Sequence, residues 1–137
     1  MARGRAAGLL AGLMIMGLLG GCASAGQDPE GTATEWLKRF DDGDHAGACA
    51  LMVDTDDTPV ARKPQQRKDS CVAGLERLAD QAAQSSLDAW RSSPRTTRTE
   101  GNTAVIEFTA VQGKLSEVRV DDVWYVADPG LGVFSFA

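Results

Sequence analysis

Cysteine and histidine are the side chains of this 137-residue chain that could do nucleophilic or metal chemistry, and both are scarce. The cysteines are Cys22, Cys49 and Cys71, and the single histidine is His45. A zinc site needs such ligands clustered at short spacing, and the sequence has no C-x-x-C motif. A catalytic cysteine needs a base within reach, and only His45, four residues before Cys49, is available. That spacing also arises when a helix opens on a polar residue and buries its next turn, so we predict no metal, no cofactor and no catalytic pair.

Carboxylates could bind calcium or transfer protons. The acids of segment 54–57 alternate like the opening of a calcium loop, but the sharp-turn glycine and the later glutamate of an EF-hand do not occur at the required offset. A basic cluster follows and is expected to balance these acids: Arg62, Lys63, Arg67 and Lys68. Other acids fall in predicted turns, and Glu107 alternates out of phase with its apolar neighbours. These positions form no catalytic constellation, so we predict that the protein is not an enzyme.

Aromatic side chains are candidates to line a ligand pocket. Trp90, Trp124 and Tyr125 are the pocket candidates. Tyr125 follows Trp124 directly, so on a strand the two side chains face opposite ways unless the strand is bulged. A core position is the more frequent fate of a lone tryptophan in a small domain.

The N-terminus carries the strongest signal in the sequence. Arg3 and Arg5 precede an apolar run from Ala6 to Leu19, and Gly20-Gly21 leads into Cys22. The run is shorter than the ~20 residues that span a bilayer as a helix, and it suits a signal-peptide core. The segment Leu19 to Cys22 resembles the lipobox of bacterial lipoproteins. The resemblance implies a signal peptide over residues 1–21 and fatty acyl chains, such as palmitate, on Cys22.

This resemblance also sets the expected location and domain organisation. Cleavage after Ala25 is the alternative, since residues 23–25 fit an A-x-A pattern, but it would leave the placement of Cys22 unexplained. Two or more acyl chains anchor a protein stably. We therefore expect a lipid-anchored tether over residues 22–31 and a single domain over residues 32–137. The domain would lie on the extracytoplasmic face of the cell membrane.

Charge and cysteine usage fit that location. Loss of residues 1–21 would leave 12 basic and 19 acidic residues, a net charge of −7. Such a charge disfavours nucleic acid as a partner and flat contact with anionic lipid. Lipidation of Cys22 would leave Cys49 and Cys71 as an even pair outside the reducing cytoplasm. We predict a disulfide between them, worth ~3 kcal/mol in the chain-entropy model.

Helical periodicity occupies the first half of the predicted domain. Residues 32–35 have the form of a capping box and predict a helix start, with Trp36, Leu37 and Phe40 facing the core and Gly43 ending the helix. A second short helix is predicted from a cap at Asp44 through Val53. A polar loop over residues 54–68 is expected next. A third helix is predicted from a cap at Asp69 or Ser70 to about Gln84 or Ser85.

Alternating periodicity predicts strands from Leu87 onward. The predicted strands cover residues 96–99, 103–111, 115–120 and 123–127, with a short final strand over residues 133–136. Turns are predicted at Gly101, Gly113 and Asp121-Asp122. The expected core positions of the sheet are Ala104, Ile106, Phe108, Ala110, Val118, Val120, Trp124 and Val126.

Helices followed by consecutive antiparallel strands indicate an α+β fold, with three N-terminal helices packed on a curved antiparallel sheet of about four strands. A further pattern has three parts in chain order. It consists of an early helix with Trp36 and Phe40, then Gly43-Asp44 and a cysteine-containing helix, and finally residues 123–126 (VWYV). It resembles small secreted lipoproteins of the nuclear transport factor 2-like superfamily over about residues 32–128. Asp122 and Val123 stand where that family has a glycine before the tryptophan. A cystatin-like arrangement is the alternative.

The resemblance implies a cone-shaped sheet, which in this superfamily often encloses an apolar cavity. The superfamily also includes isomerases, cyclases and dehydratases, but none of their catalytic residues matches a position here. We therefore expect a non-catalytic, membrane-anchored module that binds a small apolar ligand or an envelope protein. The alternatives are an accessory or structural component of an envelope assembly and an isomerase- or dehydratase-type enzyme. A sealed apolar cavity would favour binding of a small ligand. An exposed apolar patch would favour binding of a protein partner.

Overall fold

The computed structural model describes residues 25–81 and 84–128; the predicted signal peptide, Cys22 and the predicted strand over residues 133–136 lie outside these ranges. In the described part, four α-helices come first: α1 (Pro29–Asp41), α2 (His45–Cys49), α3 (Gln65–Gln81) and α4 (Gln84–Ser92), with a 3₁₀ turn (Val60–Arg62) before α3. The strands that follow are β1 (Arg95–Glu100), β2 (Thr103–Phe108), β3 (Gly113–Val120) and β4 (Val123–Asp128). The α+β class and the four-stranded sheet are confirmed, with four helices where the sequence predicts three.

Helix α1 begins earlier than the predicted start at Thr32. Asp28 is the N-cap: its carboxylate accepts a hydrogen bond of 2.6 Å from the amide of Gly31. Pro29 follows at the first helical position, where its fixed φ fits and its missing N–H costs nothing. Thr32 lies inside the first turn, and its hydroxyl donates to the Asp28 carbonyl at 3.0 Å. The capping-box prediction is wrong because Asp28 and Pro29 together form the stronger start signal.

The main chain just before α1 belongs to the fold. The amide of Gly26 donates to Thr32 Oγ1 at 2.7 Å, and the amide of Trp124 donates to the Gly26 carbonyl at 2.9 Å. Gly26 has a φ of +92°, and a Cβ there would lie 2.9 Å from Val123. Glycine meets both demands. The folded part therefore includes residues 26–31, which the sequence assigns to the tether.

Helix α1 supplies the aromatic centre of the core. Trp36, Leu37 and Phe40 are at most 2% exposed, and the rings of Trp36 and Phe40 stack 5.2 Å apart. Gly43, at a φ of +80°, reverses the chain after the helix, and Asp44 caps α2 through a 3.0 Å hydrogen bond from an α2 amide. These predictions are confirmed, although α2 ends at Cys49 and is shorter than predicted.

A disulfide joins α2 to α3. Cys49 and Cys71 are bonded, with their Cα atoms 6.1 Å apart. The loop before α3 is shorter than predicted because the helix starts at Gln65, where the Pro64 carbonyl accepts the amide of Arg67 at 2.9 Å. The predicted cap at residue 69 or 70 is wrong. The first turn of α3 is polar and largely exposed, so apolar periodicity does not mark the true start of the helix.

Helix α4 occupies the segment where the sequence predicts the change to sheet. Leu87 and Trp90 are 7% and 1% exposed, and their spacing of three buries both on one helix face. The Trp90 ring packs against Phe108 with centroids 4.8 Å apart. A Cβ on Gly113 would lie 1.9 Å from this ring, so Gly113 opens β3 as a contact for the tryptophan and not as a turn. The prediction of sheet from Leu87 is wrong.

The strands form one antiparallel sheet in the order β1-β2-β3-β4. Ala104, Ile106 and Phe108 face the core as predicted, while Ala110 lies exposed in the turn after β2. The predicted two-residue turn between β3 and β4 is confirmed. Both of its aspartates have a positive φ, of 52° and 65°, as a tight hairpin turn of this kind requires.

Strand β3 turns the opposite face to the core from the one predicted. Glu117 is 2% exposed, whereas Val118 and Val120 are partly exposed on the other face. Ala104 lies opposite Glu117 on β2, and Val126 lies opposite it on β4. Residues directly opposite one another share a face of the sheet, so burial of Ala104 and Val126 requires burial of Glu117. The predicted core positions on β3 are therefore wrong.

The helices leave one strand of the sheet largely uncovered. Helix α1 packs against β2 and β4 and also contacts α2, α3 and α4. On β1, the five residues after the partly buried Arg95 are exposed. Among the described helices, none is both long and apolar enough to cross a membrane.

Candidate ligand-binding site

Glu117 is the buried carboxyl of the sheet. It is 2% exposed, and neither of its carboxyl oxygens has a hydrogen-bond partner among the residues that the structure describes. Its cross-strand neighbours are the apolar Ala104 and Val126. Burying a polar group without a partner costs free energy, and such a group in a native protein requires an explanation.

The surroundings of Glu117 keep it protonated. Burial raises its pKa from 4.5 to about 9 because the apolar environment disfavours the carboxylate, and the negative charge of Asp28 raises it further. The side chain is therefore neutral at pH 7. Carboxyl groups perturbed in this way are concentrated at binding and catalytic sites.

A cleft opens between the N-terminal half of α1 and the uncovered side of β1. Its volume is about 560 Å³, and it is lined by Asp28, Pro29, Glu30, Gly31, Thr34, Glu35 and Thr97. Small-molecule sites occupy roughly 300–1,000 Å³, so the cleft is large enough for a metabolite-sized ligand. Three carboxylates and two threonine hydroxyls make its wall polar, unlike the apolar cavity that the sequence resemblance implies.

The buried Glu117 carboxyl belongs to the same side of the sheet as this cleft. Thr97 pairs with Ile106, which in turn pairs with Leu115. Leu115 and Glu117 are two positions apart on β3, so the alternation of a strand directs Thr97, Leu115 and Glu117 to one face. Asp28 both lines the cleft and raises the pKa of Glu117. Asp28 thus links the acidic end of the cleft to the buried carboxyl, which is not itself part of the cleft wall.

Two arginines border the cleft and are engaged by neighbouring groups. Arg39 donates from Nε to Glu35 at 2.9 Å. Arg95 donates to the Thr34 hydroxyl, and its guanidinium lies 5.1 Å from the centroid of the Phe108 ring. Partial burial lowers the pKa of Arg95, and the negative charge of Glu30 opposes that change. These contacts hold the cations against the rim of the cleft.

The aromatic residues predicted to line a pocket are not brought together. Trp90 is part of the core against Phe108 and Gly113. Trp124 is 5% exposed, with the guanidinium of Arg119 5.4 Å from its ring centroid. Tyr125 is partly exposed on the opposite face of β4. The cleft beside Glu117 is lined by none of the three.

The described cysteine and histidine positions offer no free thiol. The sulfur of Cys49 is in the disulfide with Cys71, so it is not a free thiol. Nε2 of His45 is buried and has no partner within the described residues, and its ring lies 5.8 Å from that of Phe40. Across residues 25–81 and 84–128, no three or more His, Cys, Asp and Glu side chains are arranged to hold a metal ion.

The acidic loop is neutralised by the basic cluster. Arg67 donates to Asp54 at 2.7 Å, and Lys63 donates to Asp56 at 2.6 Å. The pKa of Asp54 is lowered by the Thr55 amide and by Arg67, and that of Asp56 falls to about 2, chiefly through Lys63. Lys63 and Arg67 therefore balance acids of this loop as predicted, whereas Arg62 pairs with Asp121 at 2.7 Å.

Comparison with known proteins gives no relative from which the role of the site could be inferred. No protein-family model, no curated protein and no solved structure matches this chain. The resemblance to nuclear transport factor 2-like lipoproteins therefore stays a prediction.

Sequence reasoning missed Glu117, although a signal for it was present. The turn Asp121-Asp122 pairs Val120 with Val123, and counting outward from that pair places Glu117 opposite Val126. Val126 is predicted to be buried, so the hairpin register alone assigns Glu117 to the core face.

Proposed function

We propose that this protein is a lipid-anchored binding protein on the extracytoplasmic face of the cell membrane, and that the cleft between α1 and β1 takes up a small polar ligand. The observation that carries the binding role is the buried Glu117 carboxyl, which lacks a partner among the described residues and interacts with Asp28 of the cleft wall. A ligand group that reached it would supply the missing hydrogen bonds. Because that gain exists only in the complex, it would favour binding.

The membrane location rests on the lipobox-like Leu19 to Cys22 and is supported by the Cys49–Cys71 disulfide. Structural disulfides persist outside the reducing cytoplasm. Three residues separate Cys22 from Gly26, which is hydrogen-bonded into the fold. Four Cα–Cα steps span at most ~14 Å, so the acyl chains would hold the N-terminal end of α1 close to the lipid surface.

The anchoring half is tested by expressing all 137 residues in a bacterium with lipoprotein export, alongside a Cys22→Ala variant. We expect the wild type in the membrane fraction, with an acyl mass on its N-terminal cysteine, and the variant without that mass. An unmodified wild-type Cys22 in a host that acylates a control lipoprotein would contradict the anchoring proposal.

The binding half is tested by paired native and denaturing mass spectra of the protein expressed from all 137 residues. We expect an extra mass in the native spectrum alone, reduced in Glu117→Leu and kept in Glu107→Gln. Glu107 is the matched control because it lies on the neighbouring strand, where its side chain is 40% exposed and pairs with Arg98. Retention of the same mass in Glu117→Leu would contradict a site at Glu117.

The protonated state of Glu117 favours a second candidate, an enzyme that uses this carboxyl as a general acid. A buried glutamate that stays neutral at pH 7 can donate a proton to a bound substrate. The two candidates differ in the fate of the retained compound. Its conversion by the wild type, but not by Glu117→Gln, would show catalysis, whereas its unchanged release would show binding alone.

A further inference from the structure

We propose that the ligand of this cleft is a small organic cation, bound through an ammonium group that pairs with Glu117. This inference rests on the proposed binding function and specifies the chemical class of the ligand. It follows from the charges that line the cleft, from the position of the buried carboxyl and from the size of the space between α1 and β1.

The cleft carries more negative than positive charge. Asp28, Glu30 and Glu35 line it, and Glu117 lies next to Asp28. Arg39 neutralises Glu35 through a 2.9 Å contact, and Arg95 is held at the rim by Thr34 and Phe108. Arg95 also interacts with Glu30, so the negative charge left to face a ligand at the open end is chiefly that of Asp28. A cation is attracted to such a wall, whereas an anion is repelled.

An organic cation fits the site better than a bare metal ion. The described residues contain no cluster of three or more metal-ligating side chains, and the cleft of about 560 Å³ is far larger than one ion. An ammonium group has three N–H donors. It could donate one to each of the Glu117 oxygens, with the third directed toward Asp28. The carbon skeleton would then lie along Pro29 and Gly31.

Binding of such a ligand must displace a proton. Glu117 is neutral in the free protein, and pairing with an ammonium group favours its carboxylate form. In this step the neutral carboxyl of Glu117 and the ammonium group of the ligand form a carboxylate–ammonium pair. The carboxyl proton passes to solvent. The neighbouring groups set this exchange: Asp28, the N-cap of α1, opposes ionisation of Glu117. Arg119 lies two positions along β3 on the same face, where its guanidinium contacts the Trp124 ring and Asn102.

The ammonium group could belong to a free amine or to a lipid headgroup. The proposed anchor would hold the N-terminal end of α1, and with it Asp28, within reach of the membrane surface. An ethanolamine headgroup presents the same primary ammonium as a soluble amine. The proposal concerns the ammonium group that both sources share. Separate probes then distinguish a free amine from a lipid headgroup.

The test is isothermal titration calorimetry at pH 7 on the protein expressed from all 137 residues and held in detergent. The probes are putrescine, its neutral analogue 1,4-butanediol, and dihexanoyl phosphatidylethanolamine with its phosphatidylcholine counterpart. Each titration is run in phosphate and in MOPS, neither of which carries a primary ammonium group, and their different ionisation enthalpies report the protons released. Glu117→Gln removes the titrating group while keeping its shape, and Glu107→Gln is the control on the other face.

We expect at least one ammonium probe to bind with release of about one proton, and to bind Glu117→Gln at least tenfold more weakly without proton release. Binding of putrescine identifies a free amine, and binding of the ethanolamine lipid but not its choline counterpart identifies a headgroup. Binding of neither ammonium probe, or equal binding of the diol, would overturn the cation assignment. A neutral or anionic compound retained in the native mass spectrum would do the same while leaving the proposed binding function intact.

Discussion

Replacing Glu117 by glutamine should remove most of the pH dependence of stability between pH 5 and pH 8. The pKa of Glu117 is raised to about 9 in the folded protein, against 4.5 for an unperturbed glutamate. Between these values the folded protein keeps a proton that the unfolded chain releases. The stability associated with this proton is fully present below pH 4.5 and is lost as the pH rises toward 9.

The expected loss is large for a domain of this size. One proton retained only in the folded state costs about 1.4 kcal/mol per pH unit, so the wild type should lose about 4 kcal/mol between pH 5 and pH 8. Small domains have unfolding free energies of about 5–15 kcal/mol, so this loss is easily measured. Glutamine does not titrate, so Glu117→Gln should be the more stable protein at pH 8.

The assay is urea unfolding at pH 5, 6, 7 and 8, with the free energy of unfolding extrapolated to water. Other titrating groups contribute to both proteins, so the difference between the two pH profiles isolates Glu117. Glu107→Gln, an exposed substitution on the opposite face, should keep the wild-type profile. Parallel profiles for the wild type and Glu117→Gln would refute the reasoning, because they would mean that Glu117 ionises alike in the folded and unfolded states.

Four further sites give expectations for unfolding experiments. Replacing Cys49 and Cys71 together by serine should lower the free energy of unfolding in urea by about 3 kcal/mol, since the bond closes a loop with a separation of 22 residues. Gly113→Ala should lower it by about 2 kcal/mol, because the new Cβ would lie 1.9 Å from a buried tryptophan ring. Gly74→Ala should raise it by up to about 1 kcal/mol, since this glycine is in the interior of α3, where the nearest side-chain atom is 4.0 Å away. Asp28→Ala should cost about 1 kcal/mol through the lost helix cap, whereas Asp28→Asn should keep the cap and lower the pKa of Glu117, as seen in the pH profile of unfolding.

Patterns that depend on near neighbours were readable from the sequence. The stripe Trp36, Leu37 and Phe40, the cap at Asp44 and the hairpin turn at residues 121–122 all act within a few residues, and the structure confirms them. The disulfide was predictable because lipidation of Cys22 would leave Cys49 and Cys71 as an even pair. Helix α4 was not recognised because Leu87 and Trp90 give it only two apolar residues on its buried face.

The site was missed because hydrophobicity and register disagree on β3. Val118 and Val120 are more apolar than Glu117, so composition favours the wrong face. Register is set by pairing across the sheet, and Ala104 and Val126 on either side determine which face of β3 is buried. The cleft itself depends on α1 lying across the sheet while leaving β1 uncovered, an arrangement that no local sequence pattern encodes.

The most direct measurement is a ¹³C NMR titration of the Glu117 carboxyl carbon, assigned by comparison with Glu117→Gln, with and without putrescine or dihexanoyl phosphatidylethanolamine. The proposal of a ligand site built around a buried, protonated carboxyl predicts a midpoint near pH 9 in the free protein. It also predicts an ionised carboxyl at pH 7 when an ammonium probe is bound. A midpoint near 4.5 in the free protein, the ordinary value for glutamate, would contradict the buried, neutral state on which the candidate site depends.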